Sequence, residues 1–395
     1  MDFVFTLGMA NNKLNIKKSQ YIPKERRFIM MWHETEVTKR LSLKYPIIQA
    51  GMAGGITTPE LVAAVSNAGG LGMIGAGYMT PKDLELSIQK VKEWTDQPFG
   101  VNLFVPENPV VVQEEIERAN QLLEPIRQKL GIEKKKEVPI LNNSTFEEQI
   151  QIVIKNKIPV ASFTFGIPPR NVIEQLKQND IVVIGTATTV NEAIQNEDAG
   201  MDMIVVQGSE AGGHRGSFAE SFDQAMIGTI ALIPQVSDRV KIPVIAAGGI
   251  MDGRGVLASL ILGAQAVQMG TAFVTCKESG AHELHKKAIL NSSEEQTAIT
   301  SAFSGKPARG VNNEFIRMMK DYESELPPYP IQNNLTQTIR KEAAKQGKRE
   351  WMSLWCGQNP RLSQHVTAAE LIHSVVDQVE KSLKSIEFQK VNSEK

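Results

Sequence analysis

From about residue 45 to residue 275, short, mostly apolar runs alternate with stretches whose apolar residues recur every three or four positions. Eight such runs stand at residues 45–50, 71–75, 99–104, 159–165, 181–184, 203–206, 242–247 and 266–269. Apolar in the main rather than alternating, they predict strands covered on both faces, hence a parallel sheet wrapped in helices. The intervening stretches predict helices over 60–67, 81–94, 113–130, from Thr145, up to Gln178, after Thr189, over 226–240 and over 256–262. Thr58 reads as an N-cap with Pro59 in the first turn, and Glu148 and Glu192 stand at capping-box spacing from Thr145 and Thr189. Gly69, Gly200 and Gly263 each close a helix just before a strand.

Eight βα units predict an α/β fold of the (β/α)8 TIM-barrel type. A doubly wound open sheet is the alternative, but residues 51–55 lack the GxGxxG turn it favours. Residues 106–157 exceed one crossover and hold two helical patterns around a charged spacer at 133–137, read as a solvated turn. After Cys276 the rhythm stops. The expected organisation is an N-terminal extension without order (1–30), a barrel (31–277), a small, mostly helical cap lobe over its mouth (278–364) and a C-terminal helix (365–395). That helix carries Leu371, Val375, Val376 and Val379 on one face and is expected to pack back on the barrel.

Composition narrows the function. A formal net charge of −1 over 395 residues gives no footprint for nucleic acid or an acidic partner. Two cysteines, Cys276 and Cys356, are too few for a disulfide framework and lack metal-site spacing, so they read as free thiols in a reducing compartment. The six histidines form no HExxH-type pair, so no catalytic metal is expected. No apolar run is long enough for a bilayer, and Asp2 stands where a signal peptide would be basic. A cytoplasmic enzyme, monomeric or homodimeric, is the expectation.

The strand ends hold the candidate chemistry, because barrel active sites lie at the C-terminal face. After the sixth run comes Gln207-Gly-Ser-Glu-Ala-Gly-Gly-His-Arg-Gly-Ser-Phe218, with His214 among Gly212, Gly213 and Gly216. So few Cβ atoms let backbone approach a flat or anionic ligand, and imidazole can move a proton near neutral pH. A solvated surface turn is the plainer reading; recurrence of glycine at other strand ends argues against it. Ala246-Ala-Gly-Gly249 and Gln268-Met-Gly-Thr271 end the last two runs, where barrels commonly bind phosphate through backbone N–H groups. A phosphate site beside an uncharged, glycine-lined mouth suggests FMN, with Asn102 and Gln207 able to meet its pyrimidine edge. No lysine ends the fifth run (Ile184-Gly-Thr186), so positive charge must come from elsewhere.

These motifs, with Gly51-Met-Ala-Gly-Gly55, Ala247-Gly-Gly-Ile-Met-Asp-Gly-Arg-Gly255 and Ala302-Phe-Ser-Gly-Lys-Pro-Ala-Arg-Gly310, closely resemble those of nitronate monooxygenases, from about Met31 onward. The resemblance implies FMN and oxidation of alkyl nitronates by O2, propionate 3-nitronate in particular, to a carbonyl compound plus nitrite or nitrate. It implies His214 as the catalytic histidine, and FMN contacts from Asn102, Gln207, Gly212, Gly249, Gln268, Met269, Gly270 and Thr271. Many relatives carry a histidine where this chain has Thr164. Lys306 and Tyr329 are candidates for substrate contact from the cap. An FMN-dependent enoyl-acyl-carrier-protein reductase or NAD(P)H:quinone reductase on the same scaffold is the alternative activity.

Overall fold

The computed structural model describes residues 32–133 and 144–393. The N-terminal extension and most of the charged spacer lie outside the described residues. The first described helix is α1 (Glu36–Leu41). Eight parallel strands then form the barrel: β1 (Ile47–Gln49), β2 (Gly72–Gly75), β3 (Phe99–Phe104), β4 (Val160–Thr164), β5 (Val182–Ala187), β6 (Met203–Gln207) and, after the two-residue β7 (Gly213–His214), β8 (Val244–Ala247) and β9 (Ala266–Met269). The order β1-β9-β8-β6-β5-β4-β3-β2 is closed by a bridge between Ile48 and Leu71. Gln49 completes the seam: its buried side chain accepts from Met73 N (3.1 Å) and donates to Met73 O (3.3 Å).

The helices around the barrel are α2 (Pro59–Asn67), α3 (Pro81–Trp94), α4 (Gln113–Lys129), α5 (Ser144–Lys155), α6 (Arg170–Gln178), α7 (Val190–Asp198), α8 (Thr229–Ser237) and α9 (Gly253–Ile261). Thr58 caps α2 by accepting from Leu61 N, and Gly69, Gly200 and Gly263 take φ of +93°, +95° and +110°, as helix-closing glycines should. Helix α8 is shorter than the 226–240 expected. Its N-terminus is set at Thr229, whose N–H and hydroxyl donate to the Glu210 carboxylate.

The barrel floor is closed by α1. Val37 and Leu41 bury against Ile48, Leu71, Met73, Val160, Met203 and Ala266, and Arg40 pairs with Asp202 just ahead of β6. Burial of two such side chains is worth a few kcal/mol by area.

Beyond β9 come α10 (Thr271–Val274), α11 (Glu283–Leu290), β10 (Thr297–Thr300), β11 (Ala308–Val311), α12 (Glu314–Met319), α13 (Ile331–Lys345) and α14 (Ala368–Ser393). The cap is helical with one addition: an antiparallel sheet in the order β10-β11-β7, so a barrel loop supplies one of its strands. Helix α4, between two barrel strands in sequence, shares its core with the cap: Ile116, Ala119, Leu123 and Ile126 cluster with Leu335, Ile339 and Ala343. Helix α5 covers the barrel instead, through Phe146, Ile150 and Val153. Helix α14 packs on α2 and α9, with Leu371, Val375, Val376 and Val379 buried. Among the described residues no helix is long and apolar enough to cross a membrane.

Candidate active site

A cavity of about 190 Å³, open to solvent, occupies the C-terminal mouth of the barrel. It is lined by the ends of β1, β3, β4, β6, β8 and β9 and by Trp355, Gly357 and Asn359 from the cap. Of the residues singled out in the sequence, it gathers Asn102, Gln207, Gly212, His214, Gly249, Gln268, Gly270 and Thr271, and also Thr164. Three do not line it: Met269, whose side chain is buried in the wall, and the cap candidates Lys306 and Tyr329, of which Tyr329 stands against the His214 ring.

The His214 loop is held from several sides. Gly213 and His214 pair with Arg309 and Ala308 of β11, which turns a glycine-rich loop into a strand of the cap sheet. Gln207 reaches back along it, donating to His214 O (3.1 Å) and accepting from Gly216 N (2.8 Å). Arg215 turns inward and is 1% exposed, its guanidinium donating to the carbonyls of Gln207, Gly208 and Ala225. Glu192 does not complete a capping box. One carboxylate oxygen accepts from Thr188, and the other from the N–H groups of Phe218 and Ala219, so this buried acid anchors the far end of the loop. Gly212 is required by close approach: a Cβ there would lie 2.4 Å from Gly357 N.

The imidazole itself sits among rings. Phe165, Tyr329 and Trp355 lie 5.6, 6.0 and 5.4 Å from it, centroid to centroid. Its Nε2 is 2.8 Å from Ser304 Oγ. Burial first, then the positive charges of Arg340 and Lys306, push its pKa down to about 3, so it is neutral at pH 7. The positive charge near the ring is carried by Arg340 and Lys306 rather than by the imidazole. Lys306 pairs with Glu107 at 2.6 Å and lies 4.9 Å from the centre of the Phe165 ring. Arg340 donates to Asn333, its Nε is without a partner, and it stands beside the hydrogen-bonded pair Tyr78 and Tyr329.

The remaining wall is uncharged and sets a few polar groups among apolar side chains such as Met52, Ile56, Ile250 and Met251. Asn102 spends its amide N–H groups on Ser162 (2.9 Å) and Thr164 (3.1 Å), which leaves its Oδ1 to accept. Gly248 and Gly249 take φ of +116° and +69°, and a Cβ on Gly248 would meet Thr229 Oγ1 at 2.8 Å. Thr271 Oγ1 accepts from Gly357 N at 2.8 Å, tying the end of β9 to the cap. Both cysteines are buried, and burial pushes their thiols up to about 12, so neither is a nucleophile. Ser304, Arg340, Arg215 and Glu192 were not singled out as site residues. Arg215 and Ser304 lie within motifs quoted from the sequence, and Glu192 was noted only for its capping-box spacing; Arg340 had no signal.

Comparison with known proteins agrees with this geometry. The nitronate monooxygenase family model matches residues 35–378. The probable nitronate monooxygenase of Staphylococcus haemolyticus is 58% identical over 356 residues, 88% of this chain and 98% of that protein. The one from Staphylococcus aureus (strain JH9) is 54% identical over 350 residues, with 88% and 98% covered. Among solved structures, nitroalkane oxidase from Streptomyces ansochromogenes superposes with a TM-score of 0.83 at 37% identity, covering 89% of this chain and 99% of its own. FabK from Thermotoga maritima follows with a TM-score of 0.70 at 33% identity, covering 90% and 99%. With a family model spanning barrel and cap and close relatives matched over nearly their whole length, the chain belongs to the nitronate monooxygenase family.

Proposed function

We propose that this protein oxidises alkyl nitronates of the propionate 3-nitronate type with O2 to a carbonyl compound plus nitrite or nitrate, using FMN. The observation that carries the reading is the neutral His214 in an aromatic enclosure, under the positive field of Arg340 and Lys306. An anionic substrate is favoured there by fixed cations, and its negative charge beside the imidazole in turn raises the ring's affinity for a proton.

The cavity walls suit FMN. The Gly248-Gly249 turn and the Gly270-Thr271 end present backbone where a phosphate can approach. Asn102 Oδ1 suits the imide N–H of the ring's pyrimidine edge, and Gln207 keeps a second amide hydrogen for an acceptor beside it. Glu210 already occupies the N-terminus of α8, which directs an anion to the glycine turns instead. Bound there, FMN supplies the electron acceptor and the path to oxygen. The chain's own work is to orient the substrate over the mouth, exclude water with Phe165, Tyr329 and Trp355, and accept a carbon-bound proton on His214 when the substrate arrives as a neutral nitroalkane.

The purified protein should release FMN, not FAD, on denaturation, and a nitronate should reduce the bound flavin anaerobically faster than NADH or NADPH. Release of FAD would overturn the cofactor assignment. Fast reduction by a nicotinamide with no oxygen uptake on nitronate would move the protein to the reductase activity.

A further inference from the structure

We propose that Ser304 is a positioning residue that fixes the tautomer of His214, placing the proton on Nε2 and leaving Nδ1 as the basic atom. The inference rests on the reading of His214 as the base.

Ser304 lies in the cap, 90 residues from His214, and is 1% exposed. Its hydroxyl has one proton and three neighbours. The hydroxyl donates to Lys306 O at 3.0 Å, accepts from Lys306 N at 3.3 Å and stands 2.8 Å from His214 Nε2. No other donor to Lys306 O is found among the described residues. With the serine proton committed to that carbonyl, the short contact to the imidazole requires hydrogen on Nε2. A neutral imidazole has one N–H, so Nδ1 carries the lone pair. In general the hydrogen bond at one ring nitrogen decides which atom of the other nitrogen's side is reactive.

The turn that carries Ser304 is itself fixed. Gly305 takes φ of +77°, and a Cβ there would lie 2.4 Å from Pro327 O, so the turn is wedged against the segment leading to Tyr329. Phe303 O accepts from Thr336 on α13, and Arg215 N donates to Pro307 O at 2.9 Å. Ser304 therefore joins cap to barrel at the reacting group. The same turn places Lys306, so tautomer and local field are set together.

The test uses FMN-loaded enzyme labelled with ¹⁵N-histidine, with the His214 resonances identified by their absence in His214→Asn. Long-range ¹H–¹⁵N correlation at neutral pH should show a neutral ring protonated on Nε2. Ser304→Ala should give a mixed or Nδ1-protonated ring, and Ser304→Thr, which keeps the hydroxyl, should restore Nε2–H. On a neutral nitroalkane, Ser304→Ala should lower kcat/KM by about 10–100-fold, a share of the ~10²–10⁴ a general base supplies, and by less on the nitronate. Ser304→Thr should recover most of that loss. An Nδ1–H ring in the unsubstituted protein, or an unchanged ring in Ser304→Ala, overturns the proposal. A ring that follows Ser304 in a protein whose nitroalkane rate survives His214→Asn leaves the positioning intact and removes the base.

Discussion

His214 gets its properties from what encloses it. A histidine in a glycine loop reads as a group that titrates near neutrality; half-buried among three rings at the cavity wall and near two cations, it is held neutral with a pKa of about 3. With neutral nitroalkane, kcat/KM should therefore show no acid limb between pH 5 and 8 that belongs to this group, and a pH–rate profile breaking near 6.5 would contradict that. His214→Asn should keep its flavin yet lose turnover, by ~10²–10⁴ on the nitroalkane and less on the nitronate, which has already shed the carbon-bound proton. Equal losses on the two substrates would make His214 a binding group. The glycines and the histidine could be read in advance because each has a local signature. Ser304 and Arg340 could not: they approach His214 only after the cap folds back, and neither a loop serine nor one arginine on helix α13 carries a signature of its own.

The barrel strands were readable for a physical reason. A strand covered on both faces is apolar at most positions, and β3 and β9 occupy the residues expected, 99–104 and 266–269, with Asn102 and Gln268 as the polar exceptions that reach the cavity. Helix ends followed their caps, as Thr58 and Thr189 show. What escaped is what depends on distant partners. Helix α1 has six residues and two fully apolar anchors, too short for a period, yet it seals the barrel floor. Strand β7 exists only because β11 comes to pair with it. Glu192 has capping-box spacing, but four donors at Thr188, Phe218 and Ala219 draw its carboxylate away. The floor helix is open to direct test. Leu41→Ala should destabilise by about 2–5 kcal/mol in urea unfolding, the range for a buried leucine that leaves a cavity. Flavin content at low urea should not change, since the cavity is at the opposite end of the barrel. A loss under 1 kcal/mol would mean that α1 is not part of the folded core.

Cap and barrel are interleaved rather than stacked as separate domains. Helix α4 leaves the barrel to enter the cap core, β7 joins the cap sheet, and α14 returns to α2 and α9. His285 adds a titratable link: from α11 its Nε2 contacts Trp355 O at 2.9 Å, behind the ring that faces His214. Burial lowers its pKa to about 4, below the 6.5 of the unfolded chain, so the unfolded state binds the extra proton between those values. Stability is therefore lost as pH falls through that window, by about 2 kcal/mol at pH 5 from this group, with His214 acting in the same direction. His285→Gln keeps a donor for Trp355 O and removes the titration. Between pH 7 and pH 5 its urea midpoint should fall less than that of the unsubstituted protein; equal falls would show that His285 is not held neutral. Because the connections cross so often, tryptophan fluorescence and far-UV ellipticity should report one coincident transition at both pH values, although chains of this length commonly unfold in stages. A separate early change in fluorescence at pH 5 would show instead that the cap opens on its own.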